Sequence, residues 1–338
     1  MTETAAIPER TLGRWLRTVA GYAILIAVML VSPLFVFLPA ALFHCIVRNG
    51  RRMTWAALFI GTGVAGVLAL VGANSPGVTQ AEANTSLAYL VALVLAVALP
   101  SMAVAPMVER AESFGRVLLT AVLISVIGLA ATEISLRAVA GFSPFADQIV
   151  EAQQDSVKIL TTFQAAGVPS DVMTTLRRWA DLRIFCLPAF LLISVVIVFV
   201  LSIVLFGRLR SWRALLERRD VEVSPFLFRN LSLPEWLLFA FVIGGLSPLA
   251  SGLPQRIGAN LLAVVGFLYL LQGLAIFRSF LVAAGAGVAG VFFAYVLLGI
   301  LTITGIAPLL LSIAGLFDSF FDFRKFNRKD HTDESNFD

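Results

Sequence analysis

Residues 184–206 read IFCLPAFLLISVVIVFVLSIVLF, a stretch that contains no charged side chain. A helix crosses the hydrocarbon core of a bilayer with about 20 apolar residues, because each residue advances it by about 1.5 Å. This stretch is long enough and apolar enough to do so. It therefore predicts a membrane-spanning α-helix, and the rest of the chain can be compared with it.

The composition of the whole chain fits the same class of protein. Of its 338 residues, 59% are apolar and 14% are charged, whereas soluble domains have about 45–50% apolar and about 25% charged residues. The net charge of +4 does not indicate nucleic-acid binding. The basic residues cluster beside apolar runs, where they orient the chain and contact anionic lipid headgroups. The lipid bilayer is thus the first predicted partner.

Eight apolar runs divide the chain and predict an all-α, polytopic transmembrane helical bundle with eight to ten membrane segments. The runs are 18–47, 54–73, 86–107, 117–139, 184–206, 234–251, 257–277 and 284–317. The first and the last are too long for one span and short for two. Prolines lie inside both, at Pro33 and Pro39 and at Pro308. Since proline breaks or kinks a helix, we expect broken helical hairpins at both ends.

The distribution of positive charge favours these hairpins over single long spans. With hairpins, 19 of the 25 Lys and Arg residues lie on one side of the membrane, whereas single spans divide them almost equally. Cytoplasmic loops carry the excess of basic residues. We therefore expect both termini in the cytoplasm of a bacterial inner membrane, with an uncleaved first span.

Two segments are neither spans nor tight turns. Residues 143–181 are expected to form an extracytoplasmic helical hairpin, because Ser143 and Pro144 are typical of a helix start. Residues 207–232 are expected to form a basic cytoplasmic loop that lies on anionic lipid or docks a partner. The predicted organisation is a cytoplasmic N-terminus (1–17), one transmembrane domain (18–317) and a cytoplasmic polar tail (318–338).

No catalytic, metal-binding or nucleotide-binding signature occurs in the sequence. G-x-G-x-x-G occurs at Gly61, Gly63 and Gly66 and again at Gly285, Gly287 and Gly290. Both matches lie within or at the edge of apolar helical runs, so they predict close helix packing rather than dinucleotide binding. Neither an enzyme nor a cofactor or metal is predicted.

Polar residues inside the apolar runs are costly and therefore mark candidate sites. Glu133 and Arg137 are four residues apart, so they either pair on one helix face or meet a substrate from outside. Tyr269 and Gln272 are three apart and share a face. His44 lies near the cytoplasmic end of the first run. The candidate substrate-binding residues are Gln272, Tyr269, Glu133, Arg137 and His44.

Acidic and basic residues alternate with phenylalanines at the start of the tail. Asp318, Asp322 and Arg324 fall at helical spacing just inside the predicted cytoplasmic boundary, where opposite charges three or four residues apart can pair. The phenylalanines would hold this helix at the membrane interface. We expect the segment to anchor the chain or to recognise a partner.

Three stretches together resemble one known family. They are LPEW at 233–236, LQGLAI at 271–276 and GLFDSFFDFRK at 315–325. The chain resembles the YybS-like bacterial membrane proteins, a domain of unknown function (family 2232). The likeness covers most of the chain in its pattern of spans, and it implies a multi-pass fold without implying an activity.

The chain is also remotely similar to the substrate-binding S-components of energy-coupling-factor transporters, which are compact helical bundles. In those proteins an Ala-x-x-x-Ala face of the first helix meets the coupling subunit, and Ala23 and Ala27 stand at that spacing here. This likeness implies Ala23 and Ala27 as a partner interface, and a coupling subunit with ATPases as partners.

Two functions follow from these patterns. A substrate-binding or transport component would use broken helices and polar residues to hold an unknown small molecule. A non-catalytic scaffold in envelope assembly would instead use the outer hairpin and the basic loop to dock envelope proteins.

Overall fold

A computed structural model of the protein describes residues 9–221, 223–303 and 305–321. These residues form α-helices joined by short 3-10 and π-helical turns, and there is no strand among them. The all-α fold class is therefore confirmed. Asp322 and Arg324, two of the residues predicted for the tail, lie outside the described residues.

The helices are numbered here in chain order. The first seven are α1 (Glu9–Leu30), α2 (Leu38–Asn49), α3 (Arg51–Ala73), α4 (Gln80–Leu93), α5 (Leu99–Ala103), α6 (Ala105–Glu109) and α7 (Phe114–Val139). The remaining helices are α8 (Pro144–Ala165), α9 (Ser170–Phe185), α10 (Leu187–Phe206), α11 (Arg210–Arg218), α12 (Leu237–Gly245), α13 (Leu253–Ala283), α14 (Val288–Ile303) and α15 (Ile306–Phe321).

Six helical stretches of the described chain are long and apolar enough to cross a membrane. They are Gly13–Leu30, Arg51–Ala73, Gln80–Glu109, Phe114–Val139, Leu187–Phe206 and Leu253–Ala283. The pair α14 and α15 would make a seventh if it is one broken span, and Pro33–Asn49 and Leu237–Leu249 are shorter apolar helices. The protein is thus a multi-pass membrane protein, while the exact number of segments stays a prediction.

The first apolar run is broken at Pro33, as the sequence predicts. Helix α1 ends at Leu30, and the chain then makes a 3-10 turn over Pro33–Phe37 before α2 begins. The Ser32 hydroxyl accepts a hydrogen bond from the Leu34 amide at 3.3 Å and caps this turn. Pro39 lies in the first turn of α2, where a missing amide hydrogen costs little.

The last apolar run is broken slightly before its proline. Helices α14 and α15 meet at an angle of 110°, and Gly305 between them has a φ of +75°. Pro308 lies in the first turn of α15, a position that a helix tolerates. The left-handed glycine, rather than the proline, therefore marks the bend.

The helices group into two compact units, which are described separately. The first unit is made from Met1–Glu112, Thr120–Asp147 and Val195–Ser224. Its core includes buried side chains of α1, α2 and α3, among them Ile26, Leu42 and Leu58. Helices α1 and α3 approach closely at Gly61, since a Cβ there would lie 2.7 Å from the Ala23 carbonyl oxygen.

Close helix packing was predicted for both G-x-G-x-x-G matches, and among their glycines it is found at Gly61 alone. Nothing lies within 4 Å of a Cβ built on Gly63, Gly66 or Gly287. Gly285 instead follows the end of α13 with a φ of +65°, in the conformation that commonly terminates helices. The second match is therefore a helix end and not a packing face.

The second unit is made from Ser113–Leu119, Gln148–Ser194 and Pro225–Asp338. Helices α13 and α15 run against each other in this unit, and Gly273 and Gly315 lie at their contact. A Cβ on Gly273 would overlap the Leu311 carbonyl oxygen, and one on Gly315 would overlap that of Tyr269. Only glycine permits the two backbones to come so close.

The segment 143–181 contains two helices, and its position outside the membrane stays a prediction. Helices α8 and α9 are separated by a turn in which Gly167 has a φ of +75°. Asn260 of α13 holds the junction between α9 and α10. Its side-chain oxygen accepts a hydrogen bond from the Ala189 amide at 2.9 Å, and its side-chain nitrogen donates one to the Phe185 carbonyl oxygen at 3.1 Å.

Candidate ligand cleft and buried polar network

The first unit contains a cleft of about 910 Å³. Its walls come from the end of α1, the 3-10 turn that follows, the last turns of α3 and the beginning of α4. Ligand sites in proteins are clefts of about 300–1,000 Å³ with mostly apolar walls and a few polar groups. We call this space the cleft.

The break in the first apolar run lies in the wall of the cleft. Ser32, Pro33 and Phe35 all face it. The Phe35 ring meets the Tyr89 ring edge to face with centroids 5.7 Å apart, and this contact joins the 3-10 turn to α4. Irregular backbone at membrane depth is tolerated where protein or a cavity covers it, and this turn fits that rule.

Apart from Ser32, which precedes the 3-10 turn, the polar side chains of the cleft lie on α4. Glu82 and Thr79 form a capping box, in which the Glu82 carboxylate accepts from the Thr79 amide at 2.8 Å and the Glu82 amide donates to the Thr79 hydroxyl at 3.3 Å. Ser86 and Tyr89 follow on the next turns and also line the cleft. A ligand would therefore find an apolar wall on one side and hydroxyls with a carboxylate on the other.

A buried polar network lies in the second unit. The Gln272 amide nitrogen donates to Asp318 Oδ2 at 3.0 Å, and the Gln272 carbonyl oxygen accepts from the Leu233 backbone amide at 3.2 Å. Gln272 is fully buried and Asp318 is 7% exposed. The three stretches that carry the family resemblance thus meet at one point, beside the contact of Gly273 with α15.

Tyr269 lies on the same face of α13 as Gln272, as predicted from the spacing. Its ring meets Phe241 edge to face with centroids 5.8 Å apart. Its hydroxyl is buried beside the Ser319 hydroxyl of α15, with which it interacts. The oxygen and the nitrogen of the Gln272 side-chain amide each have a protein partner, so the network joins α13, α15 and the segment that leads into α12.

The other predicted substrate-binding residues lie in the first unit. Glu133 accepts from the Ser143 hydroxyl and from the Phe145 amide, the latter at 3.1 Å, so it holds the beginning of α8. Arg137 is exposed and forms no ion pair within the described ranges, so the expected pair with Glu133 is not formed. His44 Nδ1 lies 2.8 Å from the Ser211 hydroxyl oxygen. The structure does not bring Glu133 or His44 into the cleft.

Three of the residues predicted as a partner interface, Ala23, Ala27 and Asp318, lie inside the protein. Ala23 and Ala27 are each 2% exposed, and the carbonyl group of Ala23 contacts α3 at Gly61. Asp318 belongs to the polar network. In this structure all three residues serve contacts within the chain.

Sequence reasoning missed the cleft. Pro33 was identified as a helix breaker, but Glu82, Ser86 and Tyr89 were not singled out. The available signal was Thr79-Gln-Ala-Glu82, a capping-box sequence directly after a short loop. It marks the helix start that faces the broken end of α1.

The helices, their apolar surfaces and the broken first run define a multi-pass α-helical membrane protein. Residues 19–319 match the family described as "Predicted membrane protein (DUF2232)", so the chain belongs to this family and the resemblance read from the three stretches is confirmed. No curated protein matches the chain, and no solved structure does. The remote likeness to S-components has no support from these comparisons.

Proposed function

We propose that the protein is a substrate-binding or transport component of a bacterial inner membrane that holds a small, largely apolar molecule in the cleft. One observation carries this proposal. The broken backbone at Ser32 and Pro33 lines a cleft of about 910 Å³, and membrane transporters commonly place broken helices at their binding sites. No catalysis by the protein is part of this proposal.

The walls of the cleft suggest the chemical class of the ligand. Leu30, Leu68 and Leu90 offer aliphatic surface, while Glu82 and Ser86 offer a carboxylate and a hydroxyl. An amphipathic molecule with an apolar body and a hydroxyl or amine head would satisfy both surfaces. Such a ligand would enter from the bilayer or from the side of the membrane on which the cleft opens.

The orientation of the chain belongs to the same proposal. With both termini in the cytoplasm, α1 runs outward, so the 3-10 turn and the cleft lie at the outer face of the inner membrane. The proposal includes partner subunits that supply energy for transport, such as a coupling subunit with ATPases.

A pair of matched glycine variants tests the binding proposal. Gly72 lines the cleft, and nothing lies within 4 Å of a Cβ built there, so Gly72→Phe should fill the cleft without straining the helix. Gly63 has equally open surroundings on the same helix but lies outside the cleft. Gly63→Phe is therefore the control.

The measurement is mass spectrometry of small molecules that copurify with each variant at low expression in mild detergent. The wild type and Gly63→Phe should retain one defined molecule, and Gly72→Phe should lose most of it. Equal retention by both variants, or no copurifying molecule in the wild type, would contradict the proposal.

A scaffold in envelope assembly is the second candidate function, and one observation favours it. Val157 of α8 is 61% exposed and Trp179 of α9 is 65% exposed, in a segment predicted to lie outside the membrane. Exposed apolar side chains at such a place fit a partner surface. Trp179→Ser should then release copurifying envelope proteins without affecting the molecule held in the cleft.

A further inference from the structure

A second, basic pocket of about 340 Å³ lies in the first unit, between α2 and α11. Its walls carry Arg48 from α2 and Arg210 and Arg218 from α11. His44 and Ser211 lie between these arginines, with His44 Nδ1 2.8 Å from the Ser211 hydroxyl oxygen. We call this space the basic pocket. It is distinct from the cleft, with which it shares no residue.

A chain of aromatic contacts fixes α11 against the body of the first unit. The Trp212 ring lies 5.3 Å from the Phe206 ring, and Phe206 meets Phe43 of α2 at 5.6 Å. The Trp212 indole nitrogen also donates to the Ser224 hydroxyl at 2.8 Å. Trp212 is fully buried, so these contacts hold α11 in place beside α2.

The spacing along α11 aims one face of the helix at α2. Ser211, Leu215 and Arg218 are four and then three residues apart, which places them on one side of a helix. All three line the basic pocket, whereas Arg213 does not. Arg210 and Arg218 therefore line one space together with Arg48, whereas Arg213 and Glu217 lie outside it.

The arginines of the basic pocket lack acidic partners. Arg48, Arg210 and Arg218 form no ion pair with any carboxylate among the described residues. Three arginines around one space concentrate positive charge there, and an anion placed between them would be attracted by all three. Guanidinium groups match phosphate oxygens in two-point hydrogen bonding, so phosphate is the anion that suits the site.

A neighbouring pocket of about 340 Å³ shares Arg48 with the first. It lies against α1 and is also lined by Arg17, Tyr22 and Asn49. The two pockets are similar in size and share Arg48. The basic pocket adds Arg210 and Arg218, and the neighbouring pocket adds Arg17, so together they would suit two phosphates joined by a short linker. Both are near the ends of apolar helices, where the headgroups of the inner leaflet are expected in the proposed orientation.

The geometry points to a binding site for an anionic phospholipid with two phosphates, of the cardiolipin type, in the cytoplasmic leaflet. One phosphate lies among Arg48, Arg210 and Arg218, and the other lies between Arg48 and Arg17. The acyl chains extend along the apolar surface of the helices. Basic pockets on the cytoplasmic side of membrane proteins are known to recognise such headgroups.

Binding of short-chain lipids to the purified full-length protein in a neutral detergent tests this assignment. Affinities for cardiolipin, phosphatidylglycerol and phosphatidylcholine are measured by native mass spectrometry or thermophoresis. Cardiolipin should bind most tightly and phosphatidylcholine least. Arg48→Gln and Arg218→Gln should each weaken cardiolipin binding by about fivefold or more.

Two further variants separate the site from general positive charge. Arg17→Gln should weaken cardiolipin but leave phosphatidylglycerol unchanged, because it removes only the second phosphate contact. Arg213→Gln removes an exposed arginine of α11 that lies outside the pocket, and it should change affinity less than twofold. Since the four arginines are exposed, none of these changes should affect folding, and the thermal unfolding midpoint checks this.

Three outcomes would overturn the inference. Equal affinity for phosphatidylcholine and cardiolipin would exclude phosphate recognition, and an effect of Arg213→Gln as large as that of Arg48→Gln would reduce the site to a general charge effect. Competition by millimolar inorganic phosphate that fully displaces cardiolipin would show a site for soluble phosphate rather than for a lipid.

Discussion

Replacement of Gln272 by Leu tests what the buried polar network does. Leu has nearly the volume of Gln, so the substitution leaves no large cavity, but it removes both hydrogen bonds. The Leu233 amide then loses its acceptor inside the protein, which costs about 1–3 kcal/mol. The bond to Asp318 joins two apolar helices, where such bonds contribute about 0.6 kcal/mol on average and about 1.7 kcal/mol at most.

These two terms predict a loss of about 2–5 kcal/mol in the free energy of unfolding. Reversible unfolding of the purified protein in mixed micelles with increasing SDS measures it. Gln154→Leu is the matched control, because Gln154 is exposed on α8 and its replacement should change stability by less than about 0.5 kcal/mol.

The same variant separates a fastening role from the predicted substrate-binding role of Gln272. If the network only fastens helices, folded Gln272→Leu protein retains the molecule held in the cleft, which lies in the other unit. A loss of less than about 0.5 kcal/mol, or a stable variant that has lost its ligand, would refute the fastening role.

Two further predictions concern other contacts. Gly273→Ala should destabilise the protein by more than about 2 kcal/mol, because its Cβ would overlap the backbone of α15. Gly266→Ala on the same helix is the control, since a Cβ there has open space, and it should be neutral or stabilising. Equal effects of the two variants on unfolding in SDS would contradict the close approach of α13 and α15. Glu133→Ala should speed hydrogen exchange of the Phe145 amide by about tenfold, because it removes the acceptor of that amide. Glu151→Ala, exposed on α8, should not, and an unchanged rate in Glu133→Ala would argue against this contact.

The fold class followed from the sequence because hydropathy and length decide it almost alone. The break at Pro33 followed as well, since proline removes a backbone donor whatever surrounds it. The bend at Gly305 was assigned to Pro308 instead, because sequence does not show which residue adopts a left-handed conformation. Close packing at Gly285 was expected for a similar reason, since a glycine that ends a helix and one that packs look alike in sequence.

The candidate sites were harder to predict than the fold. Gln272 was a candidate as a polar residue inside an apolar run and Asp318 by its spacing in the tail, but their direct hydrogen bond depends on how α13 and α15 cross. Glu133 was expected to pair with Arg137 by local spacing, and it bonds instead with residues ten and twelve positions further along the chain. The cleft depends on where three helices end relative to one another, which local sequence patterns do not contain.

The topology of the first hairpin tests the account most directly, because the cleft can face outward only if α1 and α2 cross as two helices. Cysteines are placed singly at Ser75, in the turn after α3, and at Asn49, at the end of α2, after Cys45 and Cys186 have been replaced. In intact cells, an impermeant thiol reagent should label position 75 and should label position 49 only after permeabilisation. Labelling of position 49 from outside, with position 75 protected, would place the end of α2 outside and the cleft on the cytoplasmic side, and would contradict the account.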